Sequence, residues 1–210
     1  MHNSNLEQLP GKIFQIHCWL LFSPILEGET RHPAHAIILT LTLLELNMKD
    51  TLEALIGASL RKRGLKLAVA ESCTGGLVSH LITNVPGSSD YFLGGVVAYA
   101  YEAKVALLHV SWDTLNLRGA VSKETAIEMA RGVRTALGSD IGLSVSGIAG
   151  PGGELPDKPV GTTWIGLSAR NGDWARLFTW KGDRISNKEA SAQAALRFVL
   201  DYLENNLDNG

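Results

Sequence analysis

Ala70-Glu71-Ser72-Cys73-Thr74-Gly75-Gly76-Leu77 decides how this chain is read. The apolar run Leu65 to Val69 before it reads as a buried strand, and the apolar-periodic run Leu77 to Ile82 after it as a helix. Two nucleophile candidates and two glycines therefore sit on a strand-to-helix turn. Such a turn presents backbone N–H groups at a helix N-terminus, where they can hold a phosphate or a developing oxyanion. Open α/β sheets put ligands at the C-terminal ends of their strands. The plain structural alternative is an N-capping Ser or Thr with a glycine-softened turn.

Working outward, helix, strand and turn signals alternate from Met48 onward. Residues 51–63 read as a helix with Leu52, Leu55, Ile56 and Leu60 on one face and Gly64 as its stop. Asp50, with Glu53 three residues on, reads as its cap. The basic run Arg61-Lys62-Arg63 complements the dipole in the last turn. A helix over 75–84, a loop at Pro86–Asp90, a strand over 94–100 and a helix over 101–108 follow. Ser122 caps a helix over 123–137, and 141–146 is a strand running into the Gly/Pro loop 147–153. Residues 160–169 and 174–180 read as strands joined by Asn171-Gly172, the central pair of a type I′ hairpin turn. Ser186-x-x-Glu189 reads as a capping box opening a last helix to about 204, with Ala192, Ala195, Leu196, Val199 and Leu203 on its apolar side. The fold class is α/β: a layered α/β/α domain with a mixed central sheet.

Residues 1–47 differ from the rest. They hold four of the six histidines and apolar runs at 13–26 and 36–46, each shorter than the ~18 residues of a membrane span. A signal peptide is disfavoured by Glu7, Pro24 and the long charged gap before Ala36. The alternatives are a docking pair of elements or an over-extended start, with Met48 as the natural one. The division is 1–47 as an extension and 48–210 as the functional domain.

The net charge of −2 gives no electrostatic case for nucleic acid or an anionic membrane. The two cysteines, Cys18 and Cys73, form no disulfide framework, which fits a reducing, cytoplasmic setting. No CxxC or HExxH occurs, so no metal ligand set is expected.

Three polar-glycine segments follow strands: Glu71–Gly76, Tyr99–Lys104 and Ser146–Gly153. They converge if their strands end on one side of a sheet. Ser72 or Cys73 needs a base, and the histidines past Met48, His80 and His109, both read as helix residues. Lys104 is the alternative: desolvation lowers a lysine's pKa and lets a neutral amine take the serine proton. Tyr99 is close enough in sequence to bridge the two groups, with a half-buried strand aromatic as its plain reading. Ser146-Gly147-Ile148-Ala149-Gly150 could present N–H groups to a phosphate, without the lysine of a P-loop or the spacing of a dinucleotide fingerprint.

Five motifs in order, Glu71–Gly76, Gly95–Tyr99 with Glu102–Lys104, Gly119–Ser122, Ser146–Pro151 and Lys158–Thr162, resemble the C-terminal domain of the CinA family over about residues 50–205. That family contains nicotinamide mononucleotide amidohydrolases, which release ammonia and nicotinic acid mononucleotide in pyridine-nucleotide salvage. The resemblance implies Ser72 as nucleophile, Lys104 as base and Tyr99 as proton relay. It implies that Thr74, Gly75 and Gly76 line the substrate site and stabilise the oxyanion. Ser146, Gly147, Ala149 and Gly150 would bind the nucleotide side. It implies no cofactor, no metal and a homo-oligomer, and points to the stand-alone form without the family's N-terminal domain. One departure is Tyr101, where family members often carry Asn. It leaves open a non-catalytic nucleotide-binding or regulatory module. The family's historical name suggests a role tied to DNA uptake or damage, against which stands the absence of a basic patch.

Overall fold

The structure is a computed structural model that describes residues 51–207. The expectations for residues 1–47, the Met48 start, Cys18 and the Asp50 cap lie outside the described residues.

The elements alternate as helix α1 (Leu52–Arg63), strand β1 (Leu67–Glu71), helix α2 (Leu77–Thr83), strand β2 (Phe92–Val97) and helices α3 (Tyr101–Leu108), α4 (Trp112–Arg118) and α5 (Lys123–Leu137). Strands β3 (Ile141–Gly147), β4 (Thr162–Ala169) and β5 (Gly172–Thr179) and helix α6 (Arg184–Leu203) complete the domain. The sheet order is β2-β1-β3-β4-β5, with β2, β1 and β3 parallel and the two later pairs antiparallel. The mixed α/β/α reading is thus correct.

Strand alternation divides the core. Leu67 and Val69 of β1 face one side with α1, α2 and α6, where Ile56, Leu60, Val78, Leu196 and Val199 are buried. Ala68 and Ala70 face the other, against Leu108, Met129 and Val133. All five β1 residues are buried, as a parallel strand covered on both faces requires. Helix α5 lies very close to the sheet because small residues face it. A Cβ on Gly142 would stand 2.1 Å from the Ala130 carbonyl oxygen, and Ser144 Oγ donates to the Ala126 carbonyl at 2.6 Å. Gly132 of α5 meets α3 the same way, with the Leu108 carbonyl oxygen 1.9 Å from where its Cβ would be. Gly132→Ala gains about 1 kcal/mol of helix propensity. It also forces one backbone off another, so a net loss of about 1–3 kcal/mol is expected. A urea midpoint equal to or above that of the parent protein would refute this.

Local boundaries depart from the sequence reading for identifiable reasons. Thr51 is the cap of α1, its Oγ1 accepting from Ala54 N. Leu55 is exposed rather than on the buried face. Strand β2 begins and ends earlier than expected, so Ala98, Tyr99 and Ala100 leave the sheet as a loop. Helix α4 was not foreseen. The hairpin is real, but its turn residues are Arg170 and Asn171, with Gly172 already paired to Ala169. Asn171 does not have the positive φ of a type I′ turn, which among the described non-glycine residues is confined to His109 and Asn205. Asp183, not Ser186, caps α6: its carboxylate accepts from Ser186 N at 2.8 Å. Among the described residues no helix is long and apolar enough to cross a membrane.

Candidate active site

Because β2, β1 and β3 are parallel neighbours, their C-terminal ends share one edge of the sheet. Glu71 pairs in register with Val97 on one side and Val145 on the other. That register brings the loops after the three strands together, and a pocket of about 200 Å³ opens between them. Ser72, Tyr99, Lys104, Ser146, Gly147 and Ala149 line it, together with Cys73, Ala120, Val121 and Arg184.

Ser72 is fixed by its main-chain N–H, which donates to Val145 O at 2.9 Å, extending the β1–β3 ladder by one residue. Its Oγ lies 3.1 Å from Lys104 Nζ. Lys104 stands on the first turn of α3 and is only 1% exposed. Its Nζ also donates to the carbonyls of Ala98 at 2.8 Å and Tyr99 at 3.1 Å. Among the described residues no carboxylate touches it, and burial pushes its pKa down to about 8. A neutral amine has two N–H donors and one lone pair. The two carbonyls take the donors and leave the lone pair for Ser72 Oγ–H. Burial pushes the Cys73 thiol the other way, up to about 12, so Ser72 is the nucleophile candidate that the site favours. His80 and His109 do not line this pocket.

Glu71, fully buried, is the residue that sequence reasoning quoted without giving it a role. Its carboxylate accepts from the N–H groups of Gly76, Val78 and Ser79 at 2.9, 3.1 and 2.9 Å and from Ser79 Oγ at 2.7 Å. The N-terminus of α2, expected to hold a phosphate or oxyanion, is therefore filled by the protein's own carboxylate. The N–H of Gly75 is engaged as well, by Ser72 O. Gly75 and Gly76, both at positive φ, shape the turn that allows this. Glu71→Gln replaces one acceptor oxygen with an NH2 that faces donors. A loss of about 1–3 kcal/mol is expected, read as a lowered Tm; an unchanged Tm would show that the buried carboxylate does not hold the turn.

Other expected residues make contacts that their sequence reading did not give. The Tyr99 hydroxyl accepts from Arg184 Nη2 at 3.1 Å instead of bridging Ser72 and Lys104; only its carbonyl touches Lys104. Its ring is exposed because β2 ends before it. Ser146 Oγ donates to Ala120 O at 2.7 Å. Gly147 lets β4 approach, since a Cβ there would stand 2.6 Å from Thr163 Oγ1. Ala149 and Gly150 offer their carbonyls to Asn187 Nδ2 and Arg184 Nη1 at 3.1 and 2.6 Å. Thr74, Gly75 and Gly76 line a second cleft beside the first, of about 360 Å³. Tyr101, the departure, accepts from Ala120 N at 3.3 Å and so supports the pocket's wall.

Arg184 and Asn187 were missed. Both lie in the first turn of α6, where Asp183 caps the helix and carries the chain up to the pocket. The Gly-Asp-Arg run before an apolar-periodic helix was the available signal.

Together these features define an α/β domain with a buried serine–lysine pair at the C-terminal edge of its parallel strands. The chain belongs to the CinA family: the family model of the CinA C-terminal domain matches residues 49–203. A CinA-like protein of Desulfotalea psychrophila is 49% identical over 155 residues, covering 74% of this chain and 38% of that protein. A CinA-like protein of Salinibacter ruber is 52% identical over 146 residues, covering 70% and 35%. This chain thus spans well under half the length of these curated relatives. Two solved structures are similar over 73% of this chain and 95% of theirs. One is the competence damage-inducible protein A of Klebsiella pneumoniae, with a TM-score of 0.71 and 32% identity. The other is the competence/damage inducible protein CihA of Agrobacterium tumefaciens, with a TM-score of 0.69 and 35% identity.

Proposed function

We propose that this domain is a serine amidohydrolase that converts nicotinamide mononucleotide to nicotinic acid mononucleotide and ammonia, within pyridine-nucleotide salvage. The observation that carries the reading is the Ser72–Lys104 pair, with the two remaining amine donors already held by main-chain carbonyls.

Ser72 Oγ attacks the carboxamide carbon and its proton passes to Lys104 Nζ. The tetrahedral oxyanion needs donors, and most of the turn's amides are engaged. The N–H groups of Cys73 and Thr74 have no acceptor among the described residues apart from Cys73's own sulfur. We assign the oxyanion to them. Lys104 returns its proton to the leaving nitrogen, ammonia departs, and an acyl-Ser72 ester remains. Water attacks the ester with Lys104 again taking the proton, and the carboxylate product leaves as Ser72 regains its hydrogen. Lys104 Nζ gives or takes the proton in every transfer, and its exchange with Ser72 runs across the 3.1 Å contact, so the scheme requires no metal or cofactor. Tyr99 contributes its carbonyl to Lys104 and, with Arg184, walls the pocket; a relay through its hydroxyl is not part of the scheme.

The test is incubation of the protein with nicotinamide mononucleotide, following ammonia and nicotinic acid mononucleotide, with Ser72→Ala in parallel. Tight binding without turnover would replace the enzyme with a non-catalytic nucleotide-binding module.

A further inference from the structure

The cleft beside the Ser72 pocket shares one residue with the chemistry above, Thr74, whose N–H faces the oxyanion; its side chains have no role there. It is the larger of the two and is formed by the continuation of the same elements: Thr74–Leu77 of the turn, His80 of α2, and Ile185, Lys188 and Glu189 of α6. The catalytic pocket takes Ser72 and Cys73 from that turn and Arg184 from that helix, so the two cavities adjoin.

Three features give the cleft a chemistry. Lys188 has no ion-pair or hydrogen-bond partner among the described residues, so its charge is available. Thr74 is 1% exposed, and its Oγ1 is buried without a hydrogen-bond partner. A buried hydroxyl left in this way has an unmet cost that a ligand can relieve. Between them stands Gly75, where a Cβ would lie 3.7 Å from Lys188 Nζ, so no side chain fills the space across which the amine faces the turn. Glu189 is the opposing charge on the same cleft. The Ser146–Gly150 loop is a poorer match for an anion: its serine hydroxyl is engaged by Ala120, and two of its carbonyls point to α6.

The geometry points to this cleft as the seat of the substrate's 5′-phosphate, held by the Lys188 ammonium and the Thr74 hydroxyl. This rests on the mononucleotide reading above. The carboxamide lies in the Ser72 pocket and the ribose crosses the Thr74–Gly75 turn. The site thereby selects a phosphorylated nucleotide over its riboside.

Lys188→Met keeps the length of the side chain and removes its charge. The ratio of kcat/KM for nicotinamide mononucleotide to that for nicotinamide riboside is expected to fall roughly tenfold or more, through KM for the mononucleotide. Glu189→Gln should move the ratio the other way. A ratio unchanged in Lys188→Met, even if both rates fall together, overturns the proposal. Ribose 5-phosphate tests the cleft independently of any turnover. Titrated into the parent protein, it should shift the NMR amide signals of Gly75 and Gly76, and Lys188→Met should abolish the shifts. Absence of shifts in the parent protein overturns the subsite, whereas shifts without amide hydrolysis would overturn only the reaction.

Discussion

Ser72→Ala is expected to lower ammonia release from nicotinamide mononucleotide by at least about 10⁴-fold while leaving substrate affinity and the fold in place. The size follows from what remains. Without the hydroxyl there is no acyl-enzyme, and in comparable serine hydrolases loss of the nucleophile costs about as much as loss of the whole catalytic group. Cys73 cannot substitute, because its thiol is buried and pushed up to about 12, leaving almost no thiolate at neutral pH. The fold should tolerate the change. The main-chain N–H of residue 72 still reaches Val145 O, and among the described residues the only side-chain partner of Oγ is Lys104. Ammonia assays beside calorimetric titration of the substrate would separate the two effects. More than about a tenth of the parent rate in Ser72→Ala would remove Ser72 from the nucleophile's role.

The part of the fold legible in the sequence is the part governed by periodicity and caps. Helix α5 begins after the Ser122 cap and ends at Gly138, as its pattern specifies, and the apolar side of α6 is buried as expected. Helix α4 escaped because it is short and largely solvated: of its apolar residues Leu115 is buried, while Trp112 and Leu117 are exposed. Ser111, whose hydroxyl caps it, was the usable signal. At the site, Ser72 and Lys104 were readable as a pair through loops that follow parallel strands. The occupant of the α2 N-terminus was not, because a helix N-terminus attracts an internal carboxylate as readily as a ligand's phosphate. Glu71 sits where its side chain can fold back over the turn that it precedes. Tyr99 was placed by assuming that β2 continues to Ala100. With the strand ending at Val97, the hydroxyl swings to Arg184, a residue on an element distant in sequence that only the tertiary structure brings near.

Lys104→Met is expected to reduce turnover by at least about a thousandfold and at the same time to stabilise the protein at neutral pH. The two effects share one cause. The folded-state pKa of Lys104 is held at about 8 because burial disfavours the ammonium, against 10.5 for an unperturbed lysine. The neutral fraction that can act as base therefore grows up to pH 8. In the parent protein kcat/KM should fall about tenfold per unit below that point and level off above it. For stability the sign follows from proton counts. Between about pH 8 and 10.5 the unfolded chain binds a proton that the folded chain does not, so stability rises with pH across that window. Below it both states are protonated, and the buried charge costs on the order of 3 kcal/mol. Methionine carries no such cost, so the advantage of Lys104→Met should be largest below pH 8 and shrink toward pH 10.5. Lys104→Arg, which remains charged at every accessible pH, should be as inactive as Lys104→Met without its stability gain. An inactive Lys104→Met whose stability relative to the parent does not change with pH would mean that Lys104 titrates normally. The serine would then need another base.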